Sequence, residues 1–77
     1  MSLGQDLIGF IREKHGVVVT SEDSLFERGL LDSMSIIELL AFIEERAGVR
    51  VPDTAVEPDN FETVQRIERL VIRLGKA

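Results

Sequence analysis

Leu31-Asp32-Ser33-Met34-Ser35-Ile36-Ile37-Glu38-Leu39-Leu40-Ala41-Phe42-Ile43 is the stretch whose reading decides the fold. Between Met34 and Ile43 only Ser35 and Glu38 are not apolar. The run predicts a helix from about Ser33 to Ala47, closed by the C-terminal glycine signal of Gly48. A surface helix needs an apolar stripe only about 100° wide to face a core, and this one has apolar residues left over. Either it lies among neighbours on most sides, or part of it is an exposed apolar patch. In so small a domain both can hold, with Ile36, Leu39, Leu40 and Ile43 turned inward and Met34, Ile37 and Ala41 near the surface.

Outward from this helix the pattern stays helical. Leu3, Leu7, Ile8 and Ile11 recur at helical spacing, Ser2 and Gln5 are placed for a capping box, and Gly16 is a natural stop. Val17 to Thr20 is β-branched, but with no partner strand it reads as extended chain laid on the helices. The sequence is then non-periodic to Asp32, a long connection that Leu25, Phe26, Leu30 and Leu31 must pin to the core, with Gly29 supplying a sharp turn. Val49 to Phe61 holds Pro52 and Pro58 and reads as a connection with one or two short helical turns, Phe61 plugging the core. From about Glu62, Val64, Ile67, Val71 and Leu74 mark a third helix, with Arg66, Arg69 and Arg73 on its other side and Gly75 ending it. The expectation is an all-α fold: a small four-helix bundle of three longer helices and one short helix, with a long loop between helices one and two.

Composition bounds what such a bundle can do. Seventy-seven residues make a single domain, residues 1–77, too small for a deep catalytic cleft. There is no cysteine to staple the core or hold a metal, so 44% hydrophobic residues must supply it by packing. No run approaches the roughly 20 apolar residues that span a bilayer, and the N-terminus lacks the pattern of a signal peptide, which predicts a cytoplasmic protein without membrane insertion. The net charge of −5 hides a division: Glu22 to Glu62 carries 11 acidic residues against 3 basic, whereas the flanks together carry 3 acidic and 6 basic. Nucleic acid is disfavoured as a partner, since phosphate contacts need clustered Lys and Arg; basic protein surfaces suit the acidic middle. A polar, charged remainder predicts a monomer. No loop has the alternating ligands and central glycine of a calcium site.

Asp32-Ser33 places a hydroxyl at a helix N-terminus, where backbone N–H groups and the helix dipole favour an attached anion such as a phosphate. By local stability alone, Asp32 or Ser33 is a plain N-cap, and Ser35 with Glu38 is spaced for a capping box. Met34 by itself is more often a core residue than an interface one. His15, the only histidine, falls in the last turn of helix one and reads as structural or solvent-facing; the sequence places no base near Ser33 for hydrolase chemistry.

Phe26-Glu27-Arg28-Gly29-Leu30-Leu31-Asp32-Ser33-Met34, then Ile37-Glu38-Leu39, Phe42-Ile43-Glu44-Glu45, Val51-Pro52-Asp53 and Asn60-Phe61-Glu62-Thr63, resemble in order the acyl, aminoacyl, D-alanyl and peptidyl carrier superfamily. The likeness covers nearly the whole chain. It implies that Ser33 receives a 4′-phosphopantetheine arm from coenzyme A through a separate, magnesium-using phosphopantetheinyl transferase, and that the chain is a carrier rather than an enzyme. The arm's thiol would hold an acyl or aminoacyl group as a thioester. Asp32 would serve transferase recognition. Met34, Ile37 and Ala41 would form the apolar centre of a docking surface whose Glu38, Glu44 and Glu45 meet basic residues on partners. Those partners would be the transferase, an acyl- or aminoacyl-loading ligase, and downstream synthase or transferase enzymes.

Met34-Ser35 stands where many fatty-acid carriers have leucine and an acidic residue, and is more reminiscent of D-alanyl and other aminoacyl carriers. Ala41 is also smaller than the apolar residue often found there. Two cargo classes therefore stand open, a fatty-acid or polyketide type and an aminoacyl or D-alanyl type loaded by an adenylating ligase. The alternative of another class is a helical interaction module without a covalent arm, in which the apolar surplus of helix two binds a partner helix.

Overall fold

The computed structural model describes residues 2–76. Three α-helices appear in the order α1 (Leu3–His15), α2 (Ser33–Ala47) and α3 (Val64–Lys76), with two 3₁₀ turns, Asp53–Ala55 and Pro58–Phe61, between α2 and α3. No strand occurs among the described residues. The fold is the all-α bundle expected, with the short fourth element realised as the two 3₁₀ turns that the prolines permit.

Local chemistry sets the ends. Ser2 caps α1 by accepting the Gln5 N–H at 3.2 Å. Gly16 and Gly48 close α1 and α2 in the left-handed conformation, φ 69° and 68°, their N–H groups returning to the carbonyls of Arg12 and Glu44. At α3 the expectation is corrected at both ends. The helix begins at Val64, because Thr63 caps it, presenting its hydroxyl to the Arg66 N–H and its carbonyl to the Ile67 N–H, each at 3.1 Å. It continues through Gly75 to Lys76, so that glycine does not terminate it.

One core serves the domain. Leu7 and Ile11 of α1, Leu39 and Ile43 of α2, and Val64, Ile67 and Leu70 of α3 meet inside, joined by Phe61 from the second 3₁₀ turn. The long connection contributes Val19, Leu25 and Leu30, all buried, with Phe26 and Leu31 half-buried against them. Its backbone is tied to the start of α3: the Leu25 N–H donates to the Glu62 carbonyl at 2.8 Å and the Gln65 N–H to that of Ser21 at 3.1 Å. Gly29 makes the turn at φ 70°. This anchoring holds the loop that delivers Asp32 and Ser33 to the first turn of α2.

Candidate functional site

Asp32 and Ser33 stand at the N-terminus of α2. Asp32 is the N-cap, in an extended conformation, its Oδ1 accepting the Ser35 N–H at 2.8 Å and its carbonyl accepting the first helical hydrogen bond from Ile36 at 2.9 Å. Ser33 is therefore the first helical residue and not the cap, and its side chain is exposed. Among the described residues no hydrogen bond occupies its hydroxyl. Hydrogen bonds from the Ser35 backbone and hydroxyl hold the Asp32 carboxyl below its ordinary range, with a smaller contribution from the charge of His15. His15 is exposed, as expected, but its closeness to Asp32 was not legible in the sequence, because the long connection folds back to bring the end of α1 beside the start of α2. No hydrogen bond joins His15 to Asp32 or Ser33 among the described residues, and no group of three metal-ligating side chains forms among them.

Along α2, Leu39 and Ile43 are buried and the opposite strip is bare. Met34 is 67% and Ile37 61% exposed, and Ala41 and Glu45 lie open beside them. Two large apolar side chains on one turn next to Ser33 make the surface that the apolar surplus foreshadowed, and Met34 does not belong to the core. Ile36 and Leu40, expected to face inward, are only half-buried at the margin.

The carboxylates divide. Glu38 Oε2 pairs with Lys14 Nζ from α1 at 2.9 Å, so the Ser35–Glu38 capping box does not form. Glu44 is half-buried and accepts the Val51 N–H at 2.9 Å, securing the chain that leaves α2. Glu45 is exposed and has no ion-pair partner among the described residues. Lys14, twenty-four residues before Glu38, carried no sequence signal for this surface.

Beside α2, Phe26, Ile36, Val56, Pro58 and Phe61, with Glu57 at the edge, line an apolar cleft of about 250 Å³. One of its lining residues, Ile36, stands one turn after Ser33 on α2. No helix among the described residues is long and apolar enough to cross a membrane.

Residues 5–71 match the family described as a phosphopantetheine attachment site. The chain is 36% identical over 62 residues to a D-alanyl carrier protein of Bacillus velezensis, and 37% identical over 62 residues to one of Listeria monocytogenes, covering 80% of both partners each time. Among solved structures it is similar to a chain in the crystal structure of an FAD-dependent dehydrogenase, with TM-score 0.79 and 34% identity over 87% of this chain and 100% of that one. It is also similar, with TM-score 0.74 and 25% identity over 92% of each chain, to a chain in the crystal structure of Bradyrhizobium japonicum glycine:carrier protein ligase complexed with its cognate carrier protein and an analogue of glycyl adenylate.

Proposed function

Because the chain belongs to the phosphopantetheine-attachment family of the acyl carrier superfamily, whose members are non-catalytic carriers with a covalently attached 4′-phosphopantetheine, we propose that Ser33 bears this group and that the cargo is an aminoacyl group. The observation that carries the proposal is the exposed, unengaged hydroxyl of Ser33 in the first turn of α2. A phosphodiester there adjoins the amide groups and the positive end of the helix dipole. When bound, the group supplies a thiol that holds cargo as a thioester.

The residues around Ser33 position it and leave the chemistry to partners. Asp32 spends its carboxylate on the Ser35 N–H, which fixes where α2 begins and hence where the Ser33 hydroxyl points. The proton acceptor for attachment then comes from the phosphopantetheinyl transferase, and Asp32 is a recognition and positioning residue. Met34, Ile37 and Ala41 are the apolar centre of the docking surface, with Glu38 and Glu45 as its charged rim. Glu44 is left out of that rim, since the Val51 N–H engages it.

The aminoacyl reading is supported by the D-alanyl carrier relatives and by the likeness to the chain solved with the glycine:carrier protein ligase. The loading partner is then an adenylating ligase, which joins an activated amino acid to the thiol. A second class of partner, an FAD-dependent dehydrogenase, is supported by the likeness to a chain in the structure of such an enzyme.

Intact mass tests the proposal. The wild-type chain and Ser33→Ala are incubated with a broad-specificity transferase, coenzyme A and magnesium. Gain of one phosphopantetheine by the wild type alone is the expected result; gain by neither, beside a modified control carrier, leaves the helical interaction module in its place. The loaded chain is then offered D-alanine or glycine with ATP and adenylating ligases, and fatty acids with an acyl-carrier ligase. An aminoacyl mass gain is expected, and charging by fatty acids alone would overturn the cargo assignment.

A further inference from the structure

Arg66, Arg69 and Arg73 lie within a strip about 60° wide on α3 and span about 10 Å of its length. All three are exposed. Like charges three and four residues apart oppose one another on a helix, and among the described residues no carboxylate comes within ion-pairing distance of them. Glu62, one turn before Arg66, is committed elsewhere, accepting the Ser24 hydroxyl, and Asp59, the one acidic residue lining the hollow among the described residues, forms no ion pair with the row.

Two of the guanidiniums are also held in place. Arg66 donates to the Asp59 carbonyl and Arg73 to the Asn60 Oδ1, each at 3.3 Å, and Asn60 is itself fixed by donating to the Ala55 carbonyl at 2.9 Å. The three arginines, with Asp59 and Asn60, line a hollow of about 260 Å³. Each guanidinium has five N–H donors, so these contacts leave most of them without a partner among the described residues.

We infer that this row is a docking site for an acidic helix of a partner protein, one with carboxylates at i, i+3 or i+4, and i+7. Charge complementarity selects this occupant. With a Debye length of about 8 Å at physiological salt, a short acidic segment on α3 senses the arginines more than the rest of the chain. An extended anionic bilayer would also face the acidic middle of a molecule whose net charge is −5. The site has the opposite sign to the α2 surface, so one partner can hold the carrier by α3 while others engage α2.

The test is an NMR titration of the full ¹⁵N-labelled chain with a helical peptide bearing glutamates on one face, beside the same peptide with glutamines. The glutamate peptide is expected to shift amides between residues 59 and 73, with affinity falling at least about tenfold in Arg69→Glu and on raising the salt. Arm attachment to Arg69→Glu should stay within about twofold of wild type, because the sites are separate. If that variant melts early, Arg66→Gln/Arg73→Gln replaces it. Equal shifts with both peptides, shifts confined to another face, or an unaltered affinity in the charge variants would overturn the inference. So would retention by phosphatidylglycerol vesicles without peptide binding, or salt-sensitive self-association showing that a second copy occupies the row. Failure of arm attachment in every variant would count against the carrier assignment alone.

Discussion

The carboxylate of Glu68 on α3 accepts the backbone N–H of Gly4 in the first turn of α1 at 2.8 Å, joining helices whose residues stand 64 positions apart. The contact satisfies an amide that α1 cannot satisfy internally and places a negative charge at the positive end of its dipole. A Cβ at Gly4 would lie 2.7 Å from both Cδ and Oε2 of Glu68, so the absence of a side chain lets the carboxylate approach. Glu68→Ala is expected to lower stability by about 1–2 kcal/mol, and Gly4→Ala to lose the same hydrogen bond by pushing the flexible carboxylate aside, offset by the about 1 kcal/mol that alanine gains over glycine within a helix. The two losses should be less than additive in the double variant, as measured by urea unfolding, because both remove one interaction. Full additivity would show that the two substitutions do not act through this shared hydrogen bond.

Asp32 links stability to pH. Its carboxyl is held below the ordinary range by the Ser35 hydrogen bonds, so the folded state binds this proton less readily than the unfolded chain. The sign follows: the contribution is fully present above the ordinary aspartate range and is lost as pH falls through the lowered value. Asp32→Ala should therefore reduce the melting temperature at neutral pH, with the gap to wild type closing in acid. Asp32→Asn should retain much of the cap and lose the pH dependence. A gap that stays constant from neutral to strongly acidic pH would remove the carboxylate from this role.

Phe61 is among the largest fully enclosed side chains, and the core around it comes from all three helices. Phe61→Ala is expected to cost about 3–5 kcal/mol, a large part of the about 5–10 kcal/mol available to a domain of this size. That variant should be partly unfolded, and Phe61→Leu should keep a cooperative transition with a loss of about 1–2 kcal/mol. Denaturant midpoints and circular dichroism read both.

Lys14 and Glu38 meet at 2.9 Å with both side chains substantially exposed, so Lys14→Ala should change stability by no more than about 1 kcal/mol. Its effect belongs to docking. Freed from Lys14, Glu38 should attract basic partners more strongly, raising transferase kcat/KM at low salt, whereas Glu38→Gln should lower it. Both differences should shrink as salt is added. Equal rates for the two variants at low salt would exclude Glu38 from the docking surface.

The apolar recurrences at Leu7, Ile11, Leu39, Ile43 and Ile67, with Gly16 and Gly48, determined three helices and most of the inward faces from the sequence alone, because helical period and left-handed glycine are local properties of the chain. The surplus on α2 likewise announced Met34 and Ile37 as surface residues, and the order of motifs around Ser33 marked the attachment family. What α2 does with its carboxylates was decided by tertiary structure. Glu38, Glu44 and Glu45 are alike in sequence, yet one meets Lys14 from α1, one takes the Val51 amide, and one stays open. The same holds for Glu68 at Gly4, Asn60 beneath Arg73, and His15 near Asp32. Each depends on where a remote segment comes to rest. Packing of the whole core sets that position, and no periodicity within one helix encodes it.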